Sequence, residues 1–267
     1  MNKKSKPDFS EWEKLPVLDQ ILADLAIYYE PDLLKEEHRA FFDFSMTNKK
    51  QIEKYRDLLL SIMYAWQKIQ RYELYFTSFY PESSEISEVE ALNHHIQSYL
   101  QDITIFKNKI LAILGELKND IPKVASNADE VKNFFRIGID TIKNTFSGVA
   151  ESRNPHTHKG MRFFDGQLIK GENAQGALKL LSEHLVKEVD NLFTAESKKE
   201  FFEKLRKDEE ESVRKTKEWW IIGTRKNAKQ STEMLYKVLL AVRPAMYKFL
   251  KVRSPHDVIE SQYENTN

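Results

Sequence analysis

Residues 153–158, near the middle of the chain, bring together the side chains in this sequence that are best suited to catalysis. Arg153 supplies a guanidinium, Asn154 an amide, and His156 and His158 two imidazoles. A guanidinium remains charged at any accessible pH and can hold a phosphate through two hydrogen bonds. An imidazole titrates near neutrality, so it can accept a proton from a ribose 2′-hydroxyl or donate one to a leaving oxygen.

This combination can cleave RNA without a metal ion. The 2′-oxygen would attack the adjacent phosphorus while Arg153 offsets the charge that develops on the phosphodiester. Deoxyribose lacks that nucleophile, so the scheme predicts selectivity for RNA over DNA. The alternative is that Arg153 and His158 only bind carbonyl groups or satisfy a helix end, since this spacing also arises by chance.

Other chemistries find less support in the sequence. The chain has no cysteine, which excludes thiolate zinc sites, disulfides and thiol nucleophiles. It has no Gly-rich phosphate loop, no G-x-S-x-G elbow and no H-E-x-x-H helix. His156 and His158 could ligate a metal, but the nearest carboxylate is Asp165 and no full ligand set is evident. We therefore expect neither a metal nor another cofactor.

Three further groups of polar or aromatic residues have simpler interpretations. The acidic run Asp208 to Glu211 is expected to be solvated surface. His94 and His95 lie within a predicted helix, where one should face the interior and the other water. The pair at 219–220, two tryptophans, is expected to be core or a dimer contact, with nucleic-acid stacking as the alternative.

The composition is typical of long helices with wet outer faces. The 267 residues include only eight glycines and eight prolines, while 31% are charged. The most apolar runs, 21–29 and 58–66, are too short to span a bilayer, and no signal-type apolar stretch follows the basic start. We expect a cytoplasmic protein that does not associate with membranes.

Net charge is zero, but its distribution is uneven. The first 133 residues carry 17 basic and 22 acidic side chains, and the remainder carries 24 and 19. This excess of basic residues in the second half permits nucleic-acid binding without demonstrating it.

Apolar residues recur every three or four positions, which predicts an all-α bundle of about eight helices. The four expected core helices cover Gln51–Phe79, residues from about 87 to 117, Ala128–Val149 and Asn173–Phe193. The first two should pair as an antiparallel hairpin. The flanking helices are predicted at Leu18–Tyr29, Pro31–Phe44, Ala195–Lys217 and Ser231–Val252. The third of these is expected to continue into residues 219–222.

The catalytic candidates lie in the one long connection, Glu151–Glu172, between the third and fourth core helices. Within it, Met161–Ile169 reads as a small β-hairpin with an Asp-Gly turn. The resulting domain division is an amino-terminal helical extension (1–50), a four-helix core (51–193) and carboxyl-terminal helices packed on the core (194–267).

The core and its motif resemble the HEPN (higher eukaryotes and prokaryotes nucleotide-binding) superfamily. That family has an Arg, a polar residue and a following His near the junction of the last two helices of a four-helix bundle, as Arg153, Asn154 and His158 do here. The resemblance covers about residues 51–193. Pro155 departs from the pattern because it disfavours a helical Asn154.

The resemblance implies a metal-independent endoribonuclease that acts as a homodimer, as many members do in toxin–antitoxin or phage-defence systems. Arg153 would bind the scissile phosphate, His158 would act as general base or acid, and Asn154 would position them. His156 is a second candidate base. The implied partners are RNA and a neutralising protein. Because some members have lost activity, a non-catalytic module that binds nucleic acid or protein is the alternative, and a purely structural oligomer is the third.

Overall fold

The computed structural model describes residues 14–45, 47–80, 82, 85–123, 125–146, 166–183, 194–254 and 258. These residues form α-helices and two short 3-10 turns, Pro31–Leu33 and Ile121–Lys123, and none of them forms a strand. The α-helices are α1 (Pro16–Tyr29), α2 (Glu36–Arg39), α3 (Lys49–Gln70), α4 (Tyr72–Ser78), α5 (Glu88–Asp120), α6 (Ala128–Thr145), α7 (Gly166–Glu183) and α8 (Ala195–Leu250). The all-helical prediction is confirmed for this part of the chain.

Local chemistry sets the starts of several helices. Pro16 opens α1, where its missing N–H leaves no hydrogen bond unmade. Ser87 precedes α5, and its N–H donates to Glu90 Oε2 at 2.9 Å while Glu90 N–H donates to Ser87 Oγ at 3.1 Å. This capping box satisfies two amides that the helix itself cannot. It confirms the predicted start of α5 near Ser87.

The amino-terminal part of the chain is less helical than its sequence pattern indicates. The prediction of a helix over Pro31–Phe44 is wrong, because this stretch holds only the first 3-10 turn and the four-residue α2. Leu34 is extended, with ψ at 145°, which separates the two. Beyond α2, Asp43 accepts a hydrogen bond of 2.9 Å from the Ser45 N–H, a side-chain turn that competes with helix formation.

The helices later in the chain also differ from their predicted bounds. One helix, α8, runs for 56 residues in place of the two predicted, one from Ala195 to about residue 222 and the other over Ser231–Val252. No proline interrupts residues 218–230, so the backbone hydrogen bonds continue through them. The predicted helix over Gln51–Phe79 is instead divided at Arg71 into α3 and α4.

The predicted β-hairpin is wrong in its second half. Residues 166–169 form the first turn of α7, which begins seven positions before the predicted start at Asn173. Residues 161–165 lie outside the described residues. The predicted loop is therefore shorter than Glu151–Glu172, and the four-helix core stays a prediction.

No helix among the described residues is long and apolar enough to cross a membrane. The helices divide into two compact units whose segments alternate along the chain. Unit one contains the described residues of Met1–Gln70, Ile103–Gly148 and Ala228–Asn267, and unit two contains those of Arg71–Asp102 and Val149–Asn227. Neither unit coincides with one of the three segments predicted from sequence.

Unit one is built around the apolar stripes of α1 and α3, which pack against each other. Polar contacts fix the ends of its helices. Lys54 Nζ, near the start of α3, lies 2.5 Å from Glu116 Oε2 and 3.0 Å from Asp120 Oδ2 in the last turns of α5. The Tyr55 hydroxyl also donates to Asp120 at 3.0 Å. These contacts join the start of α3 to the end of α5, as an antiparallel pair requires.

Unit two has an aromatic core. The rings of Phe76 and Trp220 are stacked at 5.9 Å, and Tyr99 packs edge-on against both. The Tyr72 hydroxyl donates a short hydrogen bond to the buried carboxylate of Asp102. Arg225 binds Glu73 through two hydrogen bonds, 3.0 Å from Nε and 2.5 Å from Nη2. The buried carboxylates of Asp102 and Glu73 are thus each paired with a side chain of the same unit.

Candidate functional site

The predicted catalytic residues Arg153, Asn154, His156 and His158 lie outside the described residues. They belong to the chain segment that connects α6, which ends at Thr145, to α7, which begins at Gly166. The structure therefore leaves their geometry untested. What it does describe is the helix that follows them and the surface that this helix forms within unit two.

A pocket of about 440 Å³ lies between α7 and α8 in unit two. It is lined by polar and charged side chains from both helices and has only two apolar members. The lining residues are Gln167, Lys170, Asn173, Ala174, Leu205, Asp208, Glu211, Ser212 and Lys215.

A glycine of α7 lies against Ser212, one of the residues that line this pocket. A Cβ atom built on Gly171 would lie 3.1 Å from Ser212 Oγ and 3.4 Å from a methyl group of Val89. Ser212 is held in place because its hydroxyl donates a short hydrogen bond to the carbonyl oxygen of Gln167 in the first turn of α7. The absence of a side chain at Gly171 thus lets α7 approach α8 closely.

The charges around the pocket are balanced in sign. Lys170 and Lys215 face Asp208 and Glu211, so the lining holds two cations and two carboxylates. Lys215 Nζ lies 2.6 Å from Glu211 Oε1, and this contact holds the pKa of the Glu211 carboxyl below its ordinary value. A pocket with no net charge does not select a bare anion. It suits a ligand that carries an anionic group together with hydrogen-bond donors such as hydroxyls.

One turn beyond the pocket, α8 carries the two adjacent tryptophans. Trp220 is buried, which confirms the expectation of a core position, whereas Trp219 is 63% exposed. The two rings meet edge to face with their centroids 4.9 Å apart. Trp219 therefore packs on the buried Trp220, while most of the surface of the Trp219 ring faces solvent.

The histidine pair follows the sequence prediction. His95 is buried and His94 exposed, as a step of 100° along a helix places them. His95 lies among the rings of Tyr75, Phe76 and Tyr80. His95 is not among the residues that line the pocket described above.

The acidic run was expected to be solvated, and Asp208, Glu210 and Glu211 are indeed exposed. Two of its members nevertheless line the pocket, a role that the sequence did not reveal. Lys170, Asn173, Ser212 and Lys215 were also missed, because they look like any polar face of an amphipathic helix. Gly171 gave no signal, because it lies within the predicted connection Glu151–Glu172 and only the structure places it inside a helix.

In the described part of the chain, no group of three or more histidine, aspartate or glutamate side chains is arranged to hold a metal ion. Comparisons with protein-family models, curated proteins and solved structures found no match to this chain. The resemblance to the HEPN superfamily therefore rests on the motif of residues 153–158 and on the helices around it.

Proposed function

We propose that this protein is a metal-independent endoribonuclease of the HEPN type with residues 153–158 as its catalytic segment. The observation that carries the proposal is the sequence Arg153, Asn154 and His158 between two long helices, α6 and α7, of an all-helical chain. The polar pocket beside the first turns of α7 supports it, because this helix directly follows the catalytic segment in the chain.

In the proposed reaction, Arg153 binds the scissile phosphate and His158 accepts the proton of the attacking 2′-hydroxyl. The 2′-oxygen forms a bond to phosphorus while the bond from phosphorus to the 5′-oxygen breaks. The leaving 5′-oxygen then takes a proton, and the products are a 2′,3′-cyclic phosphate and a 5′-hydroxyl. Asn154 positions the reacting groups, and His156 is the alternative base.

The resemblance adds a biological setting to this proposal. The protein would act in the cytoplasm as a homodimer in which the segments of two protomers form one cleft. It would serve as a toxin or as a defence protein against phage, restrained by a neutralising protein partner. The location, the dimer, the biological role and the protein partner can each be tested separately from RNA cleavage.

A second candidate function is a non-catalytic binding module. The exposed Trp219 favours it, since a solvated indole next to a polar pocket is a feature of binding surfaces. In that case residues 153–158 would contact a partner or a nucleotide without catalysis. The two candidates differ in whether RNA is cleaved.

The deciding experiment incubates the purified protein with RNA in EDTA. We expect wild-type cleavage, and a loss of about 100- to 10,000-fold in Arg153→Ala and in His158→Ala. A substrate with a single 2′-deoxyribose at the cleavage position should resist cleavage there. His94→Ala and Arg206→Ala are matched controls, because each removes an exposed side chain of the same type outside the segment.

Two results would decide against the proposal. Undiminished cleavage by both Arg153→Ala and His158→Ala would remove these residues from the mechanism. RNA binding without cleavage by the wild-type protein would favour the non-catalytic module.

A further inference from the structure

Trp219 presents most of its ring to solvent on the outer face of α8. It is 63% exposed, and its neighbour on the same helix face, Ile222, is 67% exposed. The ring packs edge to face against the buried Trp220, and such a contact reduces the conformational freedom that is lost when a planar ligand stacks on it. An indole held in this way is a ready platform for a nucleobase.

The neighbours of Trp219 along the helix are cationic. Lys215 lies one turn before it and Lys226 two turns after it on the same face of α8, since residues three or four apart are neighbours on a helix. Lys226 is exposed and has no ion-pair partner among the described residues. Lysine is depleted at the cores of protein interfaces, so these flanking lysines favour a phosphate-bearing ligand.

Lys215 lies beside Trp219 on α8 and also lines the pocket, so the pocket is continuous with the helix face that carries Trp219. Its mixed charges match a ribonucleotide better than a plain anion. Lys170 and Lys215 can contact a phosphate, whereas Asp208 and Glu211 can accept hydrogen bonds from a ribose 2′-hydroxyl. Deoxyribose offers no such donor.

The charge balance of α8 changes sharply at the pocket. Residues 196–211 carry five basic and seven acidic side chains, whereas residues 212–227 carry five basic side chains and only Glu218 as an acid. Four of these five cations already contact carboxylates: Arg214 with Glu218, Lys215 with Glu211, Lys217 with Glu88, and Arg225 with Glu73. The pair between Lys215 and Glu211 is exposed on both sides, and exposed ion pairs contribute little, so a phosphate can replace the carboxylate at Lys215.

We infer that this surface binds single-stranded RNA, with a base stacked on Trp219 and the adjoining ribose and phosphate in the pocket. We define the Trp219 surface as Lys170, Asn173, Asp208, Glu211, Lys215, Trp219 and Lys226. The choice of RNA as ligand rests on the proposed function, but binding by this surface does not require cleavage. The surface lies wholly within unit two.

The test measures the affinity of the full-length protein for a fluorescein-labelled single-stranded RNA of 12 nucleotides by fluorescence anisotropy in EDTA. All proteins carry His158→Ala so that the RNA remains intact. Trp219→Ala should weaken binding by about tenfold or more, and Trp219→Phe should recover most of the affinity. Tyr236→Ala is the matched control, since Tyr236 is another exposed aromatic side chain of α8 and lies in unit one.

Two further variants address the pocket and the phosphates. Asp208→Ala should reduce the preference for RNA over DNA of the same sequence without weakening DNA binding. Lys226→Ala should weaken both and lower the slope of log affinity against log salt by about 0.7, the value for one phosphate contact on a single strand.

Unchanged RNA affinity in Trp219→Ala would overturn the inference. So would a Trp219→Ala protein that loses self-association in sedimentation while keeping its RNA affinity, because the surface would then join two copies of the chain. A wild-type protein that binds RNA through Trp219 but cleaves none would overturn the proposed function and leave this inference standing. Cleavage dependent on Arg153 and His158, with no effect of Trp219 on binding, would do the reverse.

Discussion

The imidazole of His95 and the carbonyl oxygen of Phe79 lie 2.6 Å apart in unit two. Because a carbonyl can only accept a hydrogen bond, Nε2 of His95 carries the proton and donates it. Burial of the ring among aromatic side chains is the main cause that lowers the pKa of His95 below its ordinary value of 6.5. The folded protein therefore favours the neutral form of this histidine near neutral pH.

This contact predicts a loss of stability in mild acid. The unfolded chain binds a proton at His95 near pH 6.5, whereas the folded chain binds it only at lower pH. The free energy of unfolding should therefore fall as the pH drops below about 6.5 and level off below the folded pKa. Urea unfolding at a series of pH values between 5 and 8 measures this effect.

The exposed neighbour provides the control for that measurement. His94→Ala should retain the acid-dependent loss of stability, whereas His95→Gln should lack it and be less stable at pH 8. A wild-type free energy of unfolding that is flat from pH 8 to 5 would contradict the assignment of a neutral, buried imidazole.

Gly171 and Gly176 offer a matched pair of substitutions in α7. Alanine at Gly171 would press against the pinned Ser212, so we expect Gly171→Ala to destabilise unit two by about 1–3 kcal/mol. Alanine at Gly176 meets open space and should stabilise the helix by up to about 1 kcal/mol. Equal effects of the two substitutions on thermal unfolding would show that α7 does not approach α8 closely.

In unit one, Tyr247 donates a hydrogen bond of 2.6 Å to the buried carboxylate of Asp24. Tyr247→Phe removes this donor and leaves one carboxylate oxygen less satisfied, which should cost about 1–3 kcal/mol in the free energy of unfolding. Tyr236→Phe, at an exposed position of the same helix, should change it by less than about 0.5 kcal/mol. The two variants can be compared by urea denaturation. Identical midpoints would show that this hydrogen bond does not stabilise the folded protein.

Asp120 gives a prediction for stronger acid. Burial acts to raise the pKa of its carboxyl, but hydrogen bonds from Lys123, Lys54 and Tyr55 together bring the pKa below the ordinary value of 3.8. The stabilisation is therefore present above pH 3.8 and is lost as the pH falls through the lower pKa of the folded state. Asp120→Asn should be less stable than wild type at pH 6, and the difference should shrink towards pH 2. A constant difference would contradict the lowered pKa.

The long amphipathic stripes of α3 and α5 could be predicted from the sequence, and so could much of their burial. Ile52, Tyr55 and Leu59 recur at helical spacing and are all buried. The start of α5 at Ser87 follows from a capping pattern that is local in sequence. These features depend on residues close together in the chain, which is why they can be read directly.

Features that depend on distant contacts could not be predicted in this way. The pocket forms because Gly171 brings α7 against Ser212, which lies 41 positions further along the chain, and neither residue signals the other. The short structures after Pro31 were also missed, since the apolar spacing there resembles a helix. The alternation of the two units along the chain depends on the same kind of long-range pairing.

The hydrogen bond between Asp24 and Tyr247 spans 223 positions of the sequence. During synthesis, α1 leaves the ribosome long before the end of α8 exists, so unit one cannot close until nearly the whole described chain has been translated. Until then the apolar stripe of α1 lacks part of its native covering and is exposed to aggregation or to chaperones. A messenger RNA that is truncated before the codon for Tyr247 would therefore yield a chain that cannot complete unit one.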